Sequence, residues 1–224
     1  MKKQSLVRMI KNVSLSQAET KVARSNQEAI SLFHNATHYV GNLLATRVSP
    51  QDDTGFNELF GRIGDEIVGK GLSLKFVLSN LGRQPDVMYK VFVFSYDTEQ
   101  AFSTGLLDAV FWNGLNGAGS NMYRMLDAPA TQRISILKSF TIQHQPNYNW
   151  GGDANYPNTQ STYRQVYIPL NNRKIRYKND APDLTSVKGK DIGFAVLACS
   201  NSGTSQLVNI AQFDWSKTLY FKDP

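Results

Sequence analysis

Cysteine occurs once in this chain of 224 residues, at Cys199, so no intramolecular disulfide can form and nothing calls for an oxidising compartment. No run of 18 apolar residues exists, and the first fifteen positions lack an apolar core followed by a small-residue cleavage site. The expectation is a soluble, unsecreted protein without membrane insertion, in which the Asn35-Ala36-Thr37 triplet carries no glycan.

Catalytic signatures are equally sparse. There is no GxSxG elbow, and Cys199 stands in an apolar run, a poor setting for a thiolate nucleophile. Gly114, Gly117 and Gly119 lack the Lys-Ser/Thr of a phosphate-cradling loop. His34 and His38 have no Cys, Asp or Glu at metal-ligand spacing, so a structural role is expected for both. Asp65, Glu66, Asp97 and Asp108 could be paired for glycoside hydrolysis, but nothing in their spacing selects a pair. We expect no enzyme, no cofactor and no metal centre.

What is present is sheet chemistry. Aromatic residues make up 11% of the chain, and no Ala/Glu/Lys/Leu-rich tract suggests long helices. In Gly61 to Ser79 the positions Leu72, Leu74, Phe76 and Leu78 alternate with Ser73, Lys75, Val77 and Ser79, the period of a half-buried strand after a glycine-punctuated turn. VMYKVFVFSYD follows a short turn and reads as its antiparallel hairpin partner. An earlier strand is expected from Phe33 to Val48, and a short helix capped at Asp97 or Thr98 through TGLLDAVFWNG. Further strands are expected at Gln132 to His144, at Val166 to Leu170 and Lys174 to Tyr177 with Pro169 marking an edge or bulge, and at Asp191 to Ser200. The last of these is apolar on both faces and must be covered on both sides, and a long strand or strand pair closes the chain. About eight strands with long connections favour Greek-key wiring over a meander. The fold class is therefore all-β, a single eight-stranded antiparallel jelly roll.

Charge divides the chain in two. Residues 1–24 hold Lys2, Lys3, Arg8, Lys11, Lys21 and Arg24 against Glu19 alone, a balance of +5; the remaining residues hold 18 basic against 17 acidic side chains, or +1. On a helix, Leu6, Met9, Ile10 and Val13 fall in a sector of about 100° and Lys3, Arg8 and Lys11 on the other side. We read residues 1–24 as a basic amphipathic arm and 25–224 as the jelly-roll domain, with a polyanion as partner. The loop QPNYNWGGDANYPNTQST is too long for a hairpin turn and too aromatic for a linker, and Tyr148, Trp150 and Tyr156 mark it as a receptor or glycan loop.

The order of RMIKN in a basic helix, GRIGDEIVGKGLSLKFVLS, a strand ending FVFSYD, TGLLDAVFW, QRISILKSFTI and a terminal SKTLYFKDP resembles capsid proteins of the circular Rep-encoding single-stranded DNA (CRESS-DNA) viruses and satellite-virus capsids of the satellite tobacco necrosis virus type. The resemblance implies a self-assembling coat protein, sixty copies closing a T=1 icosahedral shell, in the virion and, during assembly, in the host nucleus or cytoplasm. It implies sequence-independent contact with a single-stranded genome, DNA rather than RNA, through the arm residues Lys2, Lys3, Arg8, Lys11, Lys21 and Arg24. It places Arg62, Gly64, Asp65 and Ile67 ahead of the second family strand, with Arg62 and Asp65 a structural or interface pair, Ile136 to Lys138 in the fifth strand, and LYFKD in the last. The arm departs from the Arg-rich arms of most DNA-virus members, since only two of its six basic residues are Arg. Sixty such arms supply about 300 charges against a genome of roughly a thousand phosphates or more, so Arg173, Lys174, Arg176 and Lys178 are candidates for a basic inner wall, or else for a solvated strand face. Calcium between subunits, through Asp52, Asp53 or Asp65, and the identity of the receptor stay open. The alternative is a lectin-like jelly roll binding a glycan at Trp150; a cupin-type enzyme is disfavoured by missing histidine ligands.

Overall fold

The computed structural model describes residues 13, 18–46, 61–62, 64–82, 84–98, 111, 124–145, 159–178, 187–200 and 208–223. Among them are eight strands: β1 (Lys21–Phe33), β2 (Ala36–Val40), β3 (Glu66–Asn80), β4 (Val87–Asp97), β5 (Ile134–Gln143), β6 (Ser161–Arg176), β7 (Lys190–Ser200) and β8 (Asn209–Lys222). They form two four-stranded sheets, ordered β1-β8-β3-β6 and β2-β7-β4-β5, with every strand pair antiparallel. Six of the seven connections pass from one sheet to the other, and only β4 to β5 stays within a sheet. This is the jelly-roll β-sandwich expected from the sequence.

The core follows from the strand period. Leu72, Leu74, Phe76 and Leu78 of β3 meet Val91 and Val93 of β4, Phe194 and Val196 of β7, and Phe213 and Trp215 of β8 between the sheets. Rings interlock edge-on there, with Phe194 5.1 Å from Phe76 and 5.2 Å from Trp215. β7 is buried at every position from Asp191 to Ser200, because its other face carries a second cluster of Phe92, Phe94, Phe111, Ala195 and Leu197. The expectation of cover on both faces holds.

Three expectations are corrected. The first strand does not run from Phe33 to Val48: the chain enters the sheet at Lys21, and β1 and β2 lie in different sheets. β1 escapes pattern reading because a bulge between Gln27 and Ile30 shifts its parity, so that Ala23 and the Ile30–Leu32 pair never form one alternating series. β3 and β4 are not a hairpin, since they belong to opposite sheets and their apolar faces meet across the sandwich. The Arg62 to Ile67 element therefore leads into the third strand, not the second, while Ile136 to Lys138 does lie in β5 and LYFK ends β8.

The two segments around Val166 and Lys174 are one strand, β6, at the edge of the first sheet. Pro169 sits where the β3–β6 register shifts, beside Asn171 and Asn172 at φ 50° and 61°. Asparagine tolerates the left-handed region better than most residues, and an edge bulge accepts the missing proline donor. Of the expected helix after β4, the cap candidate Asp97 ends β4 and Thr98 Oγ1 donates to the Val187 carbonyl at 3.0 Å, while of TGLLDAVFWNG only Phe111 is among the described residues, and it is helical.

Candidate nucleic-acid interface

β1 begins, β3 begins, β6 ends and β8 ends at one end of the first sheet, and the turn from β6 to β7 joins the second sheet there through the Tyr177–Val187 bridge. Strand ends distant in sequence thus bring Lys21, Lys70, Arg173, Lys174, Arg176 and Lys178 together with Lys188, Lys190 and Lys222. Among the described residues these nine basic side chains outnumber the carboxylates at the surface of this end, Glu19, Asp65, Glu66, Asp97 and Asp223. Among the described residues at the opposite end, 33–37, 80–88, 141–145, 159–162, 198–200 and 208–212, Asp86 is the one charged side chain. Positive charge is therefore concentrated where residues 1–20 join the sheet.

Several of these cations have partners within the chain while staying exposed to solvent. Lys174 Nζ and Arg176 Nε donate to the two oxygens of Glu66 at 2.5 and 2.9 Å, and these hydrogen bonds hold the Glu66 carboxyl below its ordinary pKa. Arg173 donates from a guanidinium nitrogen to the Lys190 carbonyl, and Lys21 pairs with Asp223 at 2.7 Å. Lys178, Lys188 and Lys190 are exposed at the turn. The cluster keeps an excess of positive charge in solvent, which suits phosphates and gives a salt-dependent attraction.

Under this end lies a polar floor. The Arg62 side chain is fully buried, its Nη1 donates to the Gly64 carbonyl and lies 3.6 Å from Asp65 Oδ1, while Asp65 itself is exposed. The guanidinium stacks on Tyr177, whose hydroxyl donates to the Leu44 carbonyl at 3.0 Å and accepts from Thr46 at 3.1 Å. Asp191, at the start of β7, accepts from the Leu44 and Ile192 amides, and burial raises its pKa. Lys217 of β8 donates to the carbonyls of Leu43 at 3.0 Å and Ala45 at 2.9 Å, fixing the loop after β2.

The other sequence candidates fall as follows. Lys21 and Arg24 are strand residues, so the boundary drawn at residue 24 falls inside β1. Lys2, Lys3, Arg8, Lys11, Asp52, Asp53, Tyr148, Trp150 and Tyr156 lie outside the described residues. His34 Nδ1 accepts from the Ser200 amide at 3.1 Å, and His38 packs edge-on against Phe213 with centroids 5.3 Å apart; burial lowers both pKa values. Cys199 is buried, which pushes its thiol pKa up. Sequence reasoning missed Lys70, Lys188, Lys190 and Lys222, which only the convergence of strand ends brings beside Arg173 to Lys178.

No family model and no curated protein matches this chain. Among solved structures, it is similar to a chain from the structure of infectious bursal disease virus Gx strain, with 6% identity and a TM-score of 0.24 over 91% of this chain. It spans 39% of the length of that chain.

Proposed function

We propose that this chain is a viral capsid protein, a structural rather than catalytic component that self-assembles into a T=1 shell of sixty copies and packages a small single-stranded genome, DNA rather than RNA. The observation that carries the reading is a jelly roll, an architecture used by viral coats, in which the end that is basic among the described residues is also where β1 begins, directly after a basic N-terminal segment in the sequence. Phosphates would be met by Lys2, Lys3, Arg8 and Lys11 together with Lys174, Lys178, Lys188 and Lys190, without reading sequence. The protein would reside in the virion, and in the host nucleus or cytoplasm during assembly.

The test is to express the full chain and examine it by size-exclusion chromatography and negative-stain microscopy across pH and salt, with and without nucleic acid. Closed, uniform particles are expected. A monomer under every condition overturns the reading. Strong glycan-array hits from such a monomer, lost in Trp150→Ala, would replace it with the lectin-like alternative.

A further inference from the structure

The outer faces of the two sheets differ. That of β2-β7-β4-β5 is covered by an apolar layer around Phe111, whereas that of β1-β8-β3-β6 is polar and carries two half-exposed rings, Tyr163 at 53% and Tyr167 at 52%. Both belong to β6, on the face opposite buried Ile168 and Leu170. Outward positions on a strand repeat every ~6.8 Å, so the two tyrosines are set about 13 Å apart with Gln165 between them. Gln165 is held in place: its amide donates to Ser73 Oγ at 3.2 Å and its oxygen accepts from the Tyr163 hydroxyl at 3.0 Å.

Tyr167 has a purpose-made seat. A Cβ on Gly71 of the neighbouring strand would overlap the Tyr167 hydroxyl and ring, so the ring lies across the β3 backbone in space that only glycine leaves open. Across the sheet, Tyr167 is in register with Ser73, Thr218 and Arg24, and Gln165 with Lys75, Ser216 and Asn26. In the same outward parity the face runs on to Lys222, Lys174 and Arg176 at the basic end. Against Arg24, Lys75, Lys174, Arg176 and Lys222 the face sets three carboxylates: Asp214 accepts from the Ala29 amide at 2.6 Å, Glu28 accepts from the Asn26 side-chain amide at 3.3 Å, and Glu66 pairs with Lys174 and Arg176.

Sequence-tolerant binding of single strands needs aromatic platforms for bases beside a cationic track for phosphates. We infer that the outer face of the β1-β8-β3-β6 sheet is a binding site for single-stranded nucleic acid, with Tyr163 and Tyr167 stacking on bases and Arg24, Lys75 and Lys174 meeting phosphates. The excess of cations on the face favours this ligand over a neutral glycan, which would use the rings alone. The inference rests on the proposal that the chain packages nucleic acid and locates a second contact surface for it, away from the arm.

The experiment compares fluorescein-labelled (dT)20 with a 20-unit abasic deoxyribose-phosphate chain, by anisotropy, on the full-length protein and its variants. Tyr163→Ala/Tyr167→Ala should weaken (dT)20 binding about ten-fold or more and leave the abasic chain unchanged, while Tyr163→Phe/Tyr167→Phe keeps both affinities. An unchanged (dT)20 affinity in the alanine variant overturns the inference, as does equal loss of (dT)20, the abasic chain and heparin. Photo-cross-linking of bromodeoxyuridine 20-mer to wild-type protein provides a check independent of variant folding. Adducts within 161–169 are expected, and adducts confined to other segments count against the site. Particles with no tyrosine effect would sink this site alone; a tyrosine effect in a protein that never assembles would sink the capsid reading alone.

Discussion

The Arg62 guanidinium carbon lies 4.2 Å from the centroid of the Tyr177 ring, and both side chains are fully buried at the end of the sandwich that carries the basic cluster. A desolvated cation over an aromatic face contributes about 2 kcal/mol, and Tyr177 adds hydrogen bonds to Leu44 and Thr46 that pin the loop after β2. Tyr177→Phe keeps the ring and loses the hydroxyl, at a cost of about 2 kcal/mol. Tyr177→Leu should cost at least 1 kcal/mol more, since the cation then loses its platform. Urea denaturation of both variants checks this, and equal midpoints would remove the ring contact from the account.

Lys217 sets a pH dependence. Burial draws its ammonium from 10.5 down to about 8, against the opposing attraction of Asp191. Between those values the unfolded chain keeps a proton that the folded chain has released, so rising pH favours the folded state through this group, by up to about 3 kcal/mol. Below about pH 8 both states are charged and the gain is absent. Cys199 and the buried Tyr89, Tyr96 and Tyr177 act with opposite sign as pH rises through their ordinary values, because burial raises each of them, Tyr96 to about 12. Comparing wild type with Lys217→Met by chemical denaturation at pH 7.5, 9 and 10 isolates the lysine: the wild type should gain on the variant as pH rises. A constant difference would show that the lysine does not titrate there.

How much of this was legible in sequence depended on whether the signal was local. The alternation of Leu72 to Leu78 fixed β3 and its buried face, and the two-sided apolar run at Asp191 to Ser200 announced the second cluster. Pro169 marked an edge because a strand residue without an N–H has few other places to stand. β1 was illegible because its bulge breaks parity, and the separation of β3 from β4 because short turns join strands within a sheet as readily as between sheets. The basic end was only half visible: Arg173 to Lys178 form a run, but Lys70, Lys188, Lys190 and Lys222 join them only in space. The seat of Tyr167 required knowing that its ring reaches diagonally from its partner Ser73 to Gly71.

The β1 bulge holds a correctable strain. Ala29 has φ 55°, in the left-handed region, where a side chain costs about 1–2 kcal/mol. Glycine removes that cost and adds about 0.5–1 kcal/mol of chain entropy, so Ala29→Gly should stabilise by roughly 0.5–1 kcal/mol. Ala29→Val should destabilise by about 1 kcal/mol or more, because branching sharpens the clash. If thermal melts ranked valine above glycine, the bulge conformation would be refuted.

Gly193, the one glycine in the strands of the second sheet, should resist replacement. A Cβ there would stand 2.9 Å from the Val40 carbonyl oxygen and 3.2 and 3.3 Å from the Phe94 and Tyr96 rings. A carbonyl in a paired strand cannot retreat freely, so β2 or Tyr96 must shift, at about 2 kcal/mol. Tyr96 accepts from the Asn42 amide at 2.9 Å and donates to its side-chain oxygen at 3.2 Å, so a displaced ring also loosens the loop that Lys217 holds. Gly193→Ala is therefore expected to lower the urea midpoint and to speed amide exchange in residues 41–46. Gly64→Ala, with nothing within 4 Å of its Cβ, serves as the control and should stay within about 0.5 kcal/mol of wild type. Protection of 41–46 unaltered in Gly193→Ala would mean that β2 and its loop do not depend on the space at this position.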